Sequence, residues 1–132
     1  MIKEAFLHFV WQNQYFNKTK IFTQSGEPIQ IQKVGFHNHL AGPDFSEAEV
    51  VIGGIKWVGA VEIHISSSDW YKHKHQSDQN YDNVILHVVY DHDREVINRD
   101  GNPLPTLSLR GLIKPKMLLR YEKMLENGEP IA

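Results

Sequence analysis

The stretch "SEAEVVIGGIKWVGAVEIHIS", residues 46–66, constrains the fold more than any other part of the chain. Both halves have strand composition, and Gly53-Gly54 separates them where a tight reversal is needed. The pattern predicts two antiparallel strands joined as a hairpin. A strand sends alternate side chains to opposite faces. In the second arm Val61, Ile63 and Ile65 therefore point one way, and Ala60, Glu62, His64 and Ser66 the other. A carboxylate beside an imidazole, on a strand otherwise suited to burial, leaves two options. Either that face is wet, or the pair has chemistry to perform.

The flanking segments place this hairpin in a sheet. "NVILHVVY", Asn83 to Tyr90, is the most hydrophobic run and suits a central strand. "KIFTQ" and "IQIQKVGF" flank the turn residues Ser25 to Pro28 and can pair with each other. "HNHLAGPDF" reads as a loop leading into a strand. "TLSLRG" can add an edge strand, and Glu95–Asn98 a short one before the Asp100-Gly101 turn. Helices are expected over Lys3 to about Tyr15, over Asp69 to Gln76 behind the cap-forming serines of "SSSDW", and over "KPKMLLRYEKMLENG". In the last, Pro115 lies near the first turn and Gly128 just past the end. The order gives an α+β domain on one mixed sheet, with a helix-strand-strand-strand-helix-strand core. The 132 residues suffice for one domain, and no composition shift marks a second boundary.

Composition narrows the function classes. The net charge of −2 counts against strong autonomous binding to nucleic acid, although "YKHKH" and "KPKMLLRYEK" are locally basic. Cysteine is absent, so no thiol nucleophile or thiolate metal site exists. No apolar run approaches the ~18 residues of a membrane span. These features point to a cytoplasmic location. There is no phosphate-binding glycine loop and no G-x-S-x-G elbow. The eight histidines are the compositional excess.

Asp44 opens the first arm of the hairpin and Glu62 lies near the end of the second, so their carboxylates can converge. Two carboxylates make a hard oxygen site suited to Mg²⁺ or Mn²⁺. Glu4, His8 and Gln12 form a polar stripe at i, i+4, i+8 on the first helix, facing either solvent or a polar cleft. A rival chemistry is a zinc or iron site from His64, Asp69 and His73, with His37 or His39 as further ligands. His73 and His75 otherwise read as helix-surface residues. His87 reads as a core histidine and His92 as a loop residue. Trp11, Trp57 and Trp70 read as core or edge packing.

"PDF…VEIH" resembles the PD-(D/E)xK pattern of the restriction-endonuclease-like phosphodiesterases, and the element order matches that fold's core. The resemblance implies metal binding by Asp44 and Glu62, support from Glu4 on the first helix, and a water-orienting role at His64, where the family carries lysine. Lys72 or Lys74, on the following helix, is the implied substitute for that lysine. A hydrolase acting on nucleic acid is the implied function. A non-catalytic nuclease-fold module that binds nucleic acid or a protein is the alternative. The runs "E.FLHFVWQ", "AGPDF", "VEIHISSSDW" and "H…D…Y.NVILHVVYDHD" also resemble an uncharacterised family of bacterial proteins over nearly the whole chain. That likeness implies a shared fold and an N-terminal portion of a longer protein, and names no reaction.

Overall fold

The computed structural model describes residues 2–128. It contains α1 (Glu4–Asn13), β1 (Ile29–Lys33), β2 (Phe36–His37), β3 (Phe45–Ile52), β4 (Ile55–Ser66), α2 (Asp69–Lys72), β5 (Val84–Asp91), β6 (Thr106–Ser108) and α3 (Pro115–Glu126). The strands form one mixed six-stranded sheet in the order β1-β3-β4-β5-β6, with β2 paired to the start of β3. The β3–β4 hairpin turns at Gly53 and Gly54, both with positive φ (59° and 84°), as a tight reversal demands. Its register runs from Ile52 opposite Ile55 to Ala48 opposite Gly59, then shifts by one residue at a bulge, with Glu47 at φ 57°, so that Phe45 stands opposite Val61. β5 joins β4 in parallel, and β6 joins β5 in parallel as the edge strand.

From Ala60 to His64, β4 is buried on both faces, which settles the question its sequence raised. One face carries Val61 and Ile63, packed with Phe6, Leu7, Val10 and Trp11 of α1, Leu86 and Val88 of β5, and Tyr121 of α3. The other carries Ala60, which clusters with Trp70, Val84, Val96 and Leu104. Glu62 and His64 continue the second face at only 4 % and 1 % exposure. Those polar groups are therefore not on a wet surface.

Several local expectations change. The helix after β4 is a single turn, Asp69–Lys72, followed by 3₁₀ turns at His75–Ser77 and Gln79–Tyr81. The chain leaves helical geometry at Lys74, which has φ 59°. Glu95–Asn98 forms no strand; it makes one bridge, Ile97 to Pro103, and a proline cannot extend the ladder. "KIFTQ" makes only the bridge Phe22 to Pro28, while β1 pairs with β3 instead. Phe36–His37, within and beside the expected loop start, forms β2. Trp11 and Trp70 are buried as packing residues, but Trp57 is 49 % exposed.

The serines before α2 do not cap it. Ser67 Oγ and the Ser68 N–H donate to Asp93 Oδ1 at 3.0 and 2.9 Å, and Ser68 Oγ donates to Asp93 Oδ2 at 2.7 Å. Those bonds, the Ser68 hydroxyl first, hold the Asp93 carboxyl down to about 2, from an ordinary 3.8. A group with a depressed folded pKa adds stability above its unfolded pKa and loses it as pH falls through the folded one. Asp93→Asn is expected to cost about 1 kcal/mol at pH 7, the carboxylate being exposed, and to lose that deficit between pH 4 and 2. Parallel melting curves for parent and variant across that window would contradict the role.

Candidate metal centre

Pro43 and Asp44 precede β3, and the antiparallel register sets Phe45 against Val61. Asp44 therefore falls beside Glu62. The Asp44 N–H donates to Glu62 Oε1 at 3.1 Å, and the Ile63 N–H donates to Asp44 Oδ2 at 2.8 Å. Burial first, then the Asp44 charge and a hydrogen bond from protonated Glu62 to the Asp44 carboxylate, pushes Glu62 up to about 10. Glu4, at the start of α1, is raised to about 7 by burial and then by the charges of Asp44 and Asp69. Four acids from four segments thus share one electrostatic neighbourhood.

Imidazoles surround them. His64 Nε2 lies 3.3 Å and His75 Nε2 2.9 Å from Glu62 Oε2. The His75 nitrogen is buried and makes no hydrogen bond, so it is close to that oxygen but poorly aimed at it. His64 Nδ1 is hydrogen-bonded to His87 Nε2 at 2.7 Å, leaving the buried His87 Nδ1 without a partner. His8 Nε2 lies 3.5 Å from Asp44 Oδ2, and His8 Nδ1 is hydrogen-bonded to His37 Nε2 at 3.1 Å. Beyond it the His37 and His39 rings meet edge-on at 4.3 Å. Burial, then the neighbouring His75 and His73, lowers His64 to about 3. Burial likewise lowers His8, His37, His75 and His87. The contacts of His64 and His75 with Glu62 are therefore between neutral rings and a carboxyl, and they do not offset its repulsion by Asp44.

Two sets of donor atoms lie within 4.8 Å of one another: Glu4, His8 and Asp44, and His64, His73 and His75. Asp69 belongs to neither set. Its Oδ2 accepts the Ser66 N–H at 3.2 Å, and its Oδ1 pairs with Lys72 Nζ at 3.5 Å. The Lys72 side chain is 70 % exposed, and Lys74 is exposed on the left-handed residue. Among the described residues neither lysine bonds to Asp44 or Glu62.

The main correction concerns His75. Helical spacing makes it a surface residue, yet it is buried against Glu62 and stacks on Tyr81 with ring centroids 3.7 Å apart. No periodicity signals this, because the helix ends before it. His8 was legible, since it shares the Glu4 stripe. His73 and His92 are exposed as expected, and His87 is fully buried.

The family described as protein of unknown function (DUF2851) matches residues 4–132, and the chain belongs to it. No curated protein and no solved structure matches the chain. Among the described residues, no helix is long and apolar enough to cross a membrane.

Proposed function

We propose that this DUF2851 chain is a metal-dependent phosphodiesterase acting on nucleic acid, with a divalent cation held by Asp44 and Glu62. The observation that carries the reading is the convergence of three acids: donor atoms of Glu4 and Asp44 lie within 4.8 Å of each other and of His8, and Glu62 accepts the Asp44 N–H, with no lysine or arginine paired to any of the three among the described residues. Such a cluster is costly unless a cation compensates it. The oxygen donors suit Mg²⁺ or Mn²⁺, and the His8 imidazole beside Asp44 inclines the choice to Mn²⁺. The element order and the Asp44…Glu62-x-His64 spacing further support a restriction-endonuclease-like arrangement.

A cation bound there supplies Lewis-acid polarisation of a phosphoryl oxygen and a lowered pKa for coordinated water. The residues of the chain do the rest. Asp44 is held in place by the Ile63 N–H, which fixes the position of its carboxylate. Glu4, raised to about 7, can hold or release a proton near neutral pH. His8, His37 and His39 lead from Asp44 toward the exposed His39. His64 stands where the restriction-endonuclease-like pattern carries lysine and is neutral, so it can orient a group but not supply a fixed positive charge.

That difference, with Lys72 and Lys74 turned outward, favours a second reading: a module that binds nucleic acid or a protein without cleaving it. Labelled single- and double-stranded DNA and RNA, incubated with Mn²⁺ or Mg²⁺, separate the two. Cleavage is expected with the ion, is lost in EDTA, returns on adding Mn²⁺, and falls about tenfold or more in Asp44→Asn. Binding without cleavage under every ion would leave the non-catalytic module.

A further inference from the structure

We infer that His64, His73 and His75 form a second metal position, for a zinc-class transition ion, with Glu62 Oε2 as the fourth donor. This goes beyond the hydrolytic reading and does not require it. The three imidazoles come from β4, the residue after α2 and the following 3₁₀ turn, and one nitrogen of each lies within 4.8 Å of the other two. A nitrogen-rich set selects a different ion from the oxygen set around Asp44.

Two independent observations point to a ligand, and a third shows how the chain brings the histidines together. First, His75 Nε2 is buried and unpartnered, yet it lies 2.9 Å from Glu62 Oε2. Donor atoms about 2.0–2.2 Å from a tetrahedral zinc stand roughly 3.4 Å apart. The Glu62 Oε2 separations of 2.9 and 3.3 Å from His75 and His64 are close to that spacing and need only a small expansion. Second, the far nitrogen of His64 is held by His87 at 2.7 Å, the outer support that orients a metal-ligating imidazole. Third, Lys74 adopts φ 59° between His73 and His75, a conformation that costs a lysine about 1 kcal/mol or more. That departure from the helix is what lets two histidines only two positions apart turn toward the same point. His73 is exposed, so the position opens to solvent on one side, as catalytic zinc sites do.

Tag-free full-length protein tests this, since a histidine tag would itself bind the ion. The protein is loaded with Zn²⁺, dialysed and analysed for metal, and separately titrated with Co²⁺ while the visible absorption of a tetrahedral cobalt site is followed. One retained zinc and a cobalt band are expected. His73→Ala, which removes an exposed side chain, is expected to weaken cobalt binding about 100-fold. His75→Ala should do the same where it folds. Asp44→Asn should keep the band while losing cleavage, so a failed hydrolytic reading leaves the histidine position standing. The inference is overturned if the parent retains no zinc, if His73→Ala binds like the parent, or if Asp44→Asn abolishes the band.

Discussion

A Glu62→Gln chain is expected to lose divalent-dependent cleavage by about 100-fold or more and, in EDTA, to melt at a higher temperature than the parent. The two effects have one cause. Glu62 reaches the Asp44 N–H with one oxygen and lies between His64 and His75 with the other. Glutamine keeps the shape and the carbonyl acceptor but has no proton to take up and no charge to offer a cation. Without metal, folding at neutral pH forces a proton onto the buried Glu62 carboxyl beside Asp44 and near Glu4, a cost the neutral amide avoids. A gain of about 1–2 kcal/mol, or roughly 3–8 °C in Tm, is reasonable for a chain of this size. Saturating Mn²⁺ should reverse the order, because an ion at 100 times its Kd adds about 2.7 kcal/mol to the parent alone. Scanning calorimetry with and without metal reads both arms. If Mn²⁺ raises neither melting temperature, the acids around Asp44 are not a cation site.

The second large effect is structural. A Cβ on Gly59 would stand 2.6 Å from the Asn83 carbonyl oxygen and 2.6 Å from Ile85 Cγ2. The first contact is with backbone and has nowhere to go. Gly59→Ala is expected to cost about 3 kcal/mol, near 10 °C in Tm. Gly54→Ala is the control: its added Cβ meets nothing within 4 Å, but φ is +84°, so only about 1–2 kcal/mol of backbone strain follows. Gly59 also adjoins the register shift between Ala60 and Val61, one step before Glu62 pairs with His87. Weakened metal retention should therefore accompany the lower Tm in Gly59→Ala and not in Gly54→Ala. Equal denaturation midpoints for the two variants would remove this account of the strand contact.

The hairpin was legible because a two-residue glycine turn leaves the arms little choice of pairing. That Asp44 shares a face with Glu62 was not: a bulge between Phe45 and Ala48, with Glu47 at φ 57°, shifts the register by one residue and turns Asp44 to the Glu62 side. The Glu4 and His8 stripe was legible, since helical spacing puts both on one face. His75 was not. Its place depends on the chain leaving the helix at Lys74 and folding back under β4, which only contacts distant in sequence reward. The cap-like serines misled for the same reason: Asp93, 25 residues after Ser68, captured the donors.

By itself, the order of residues determined the first and last helices, the hairpin and the central strand, which follow from short-range periodicity and turn chemistry. The tertiary structure decided that the second face of β4 is dry, because the parallel pairing with β5 and the cover from Trp70 and the His75 turn are made across long separations. Burial is a property of what lies opposite a side chain. No alternation along a single strand can say whether Glu62 and His64 look at water or at three other histidines and an aspartate.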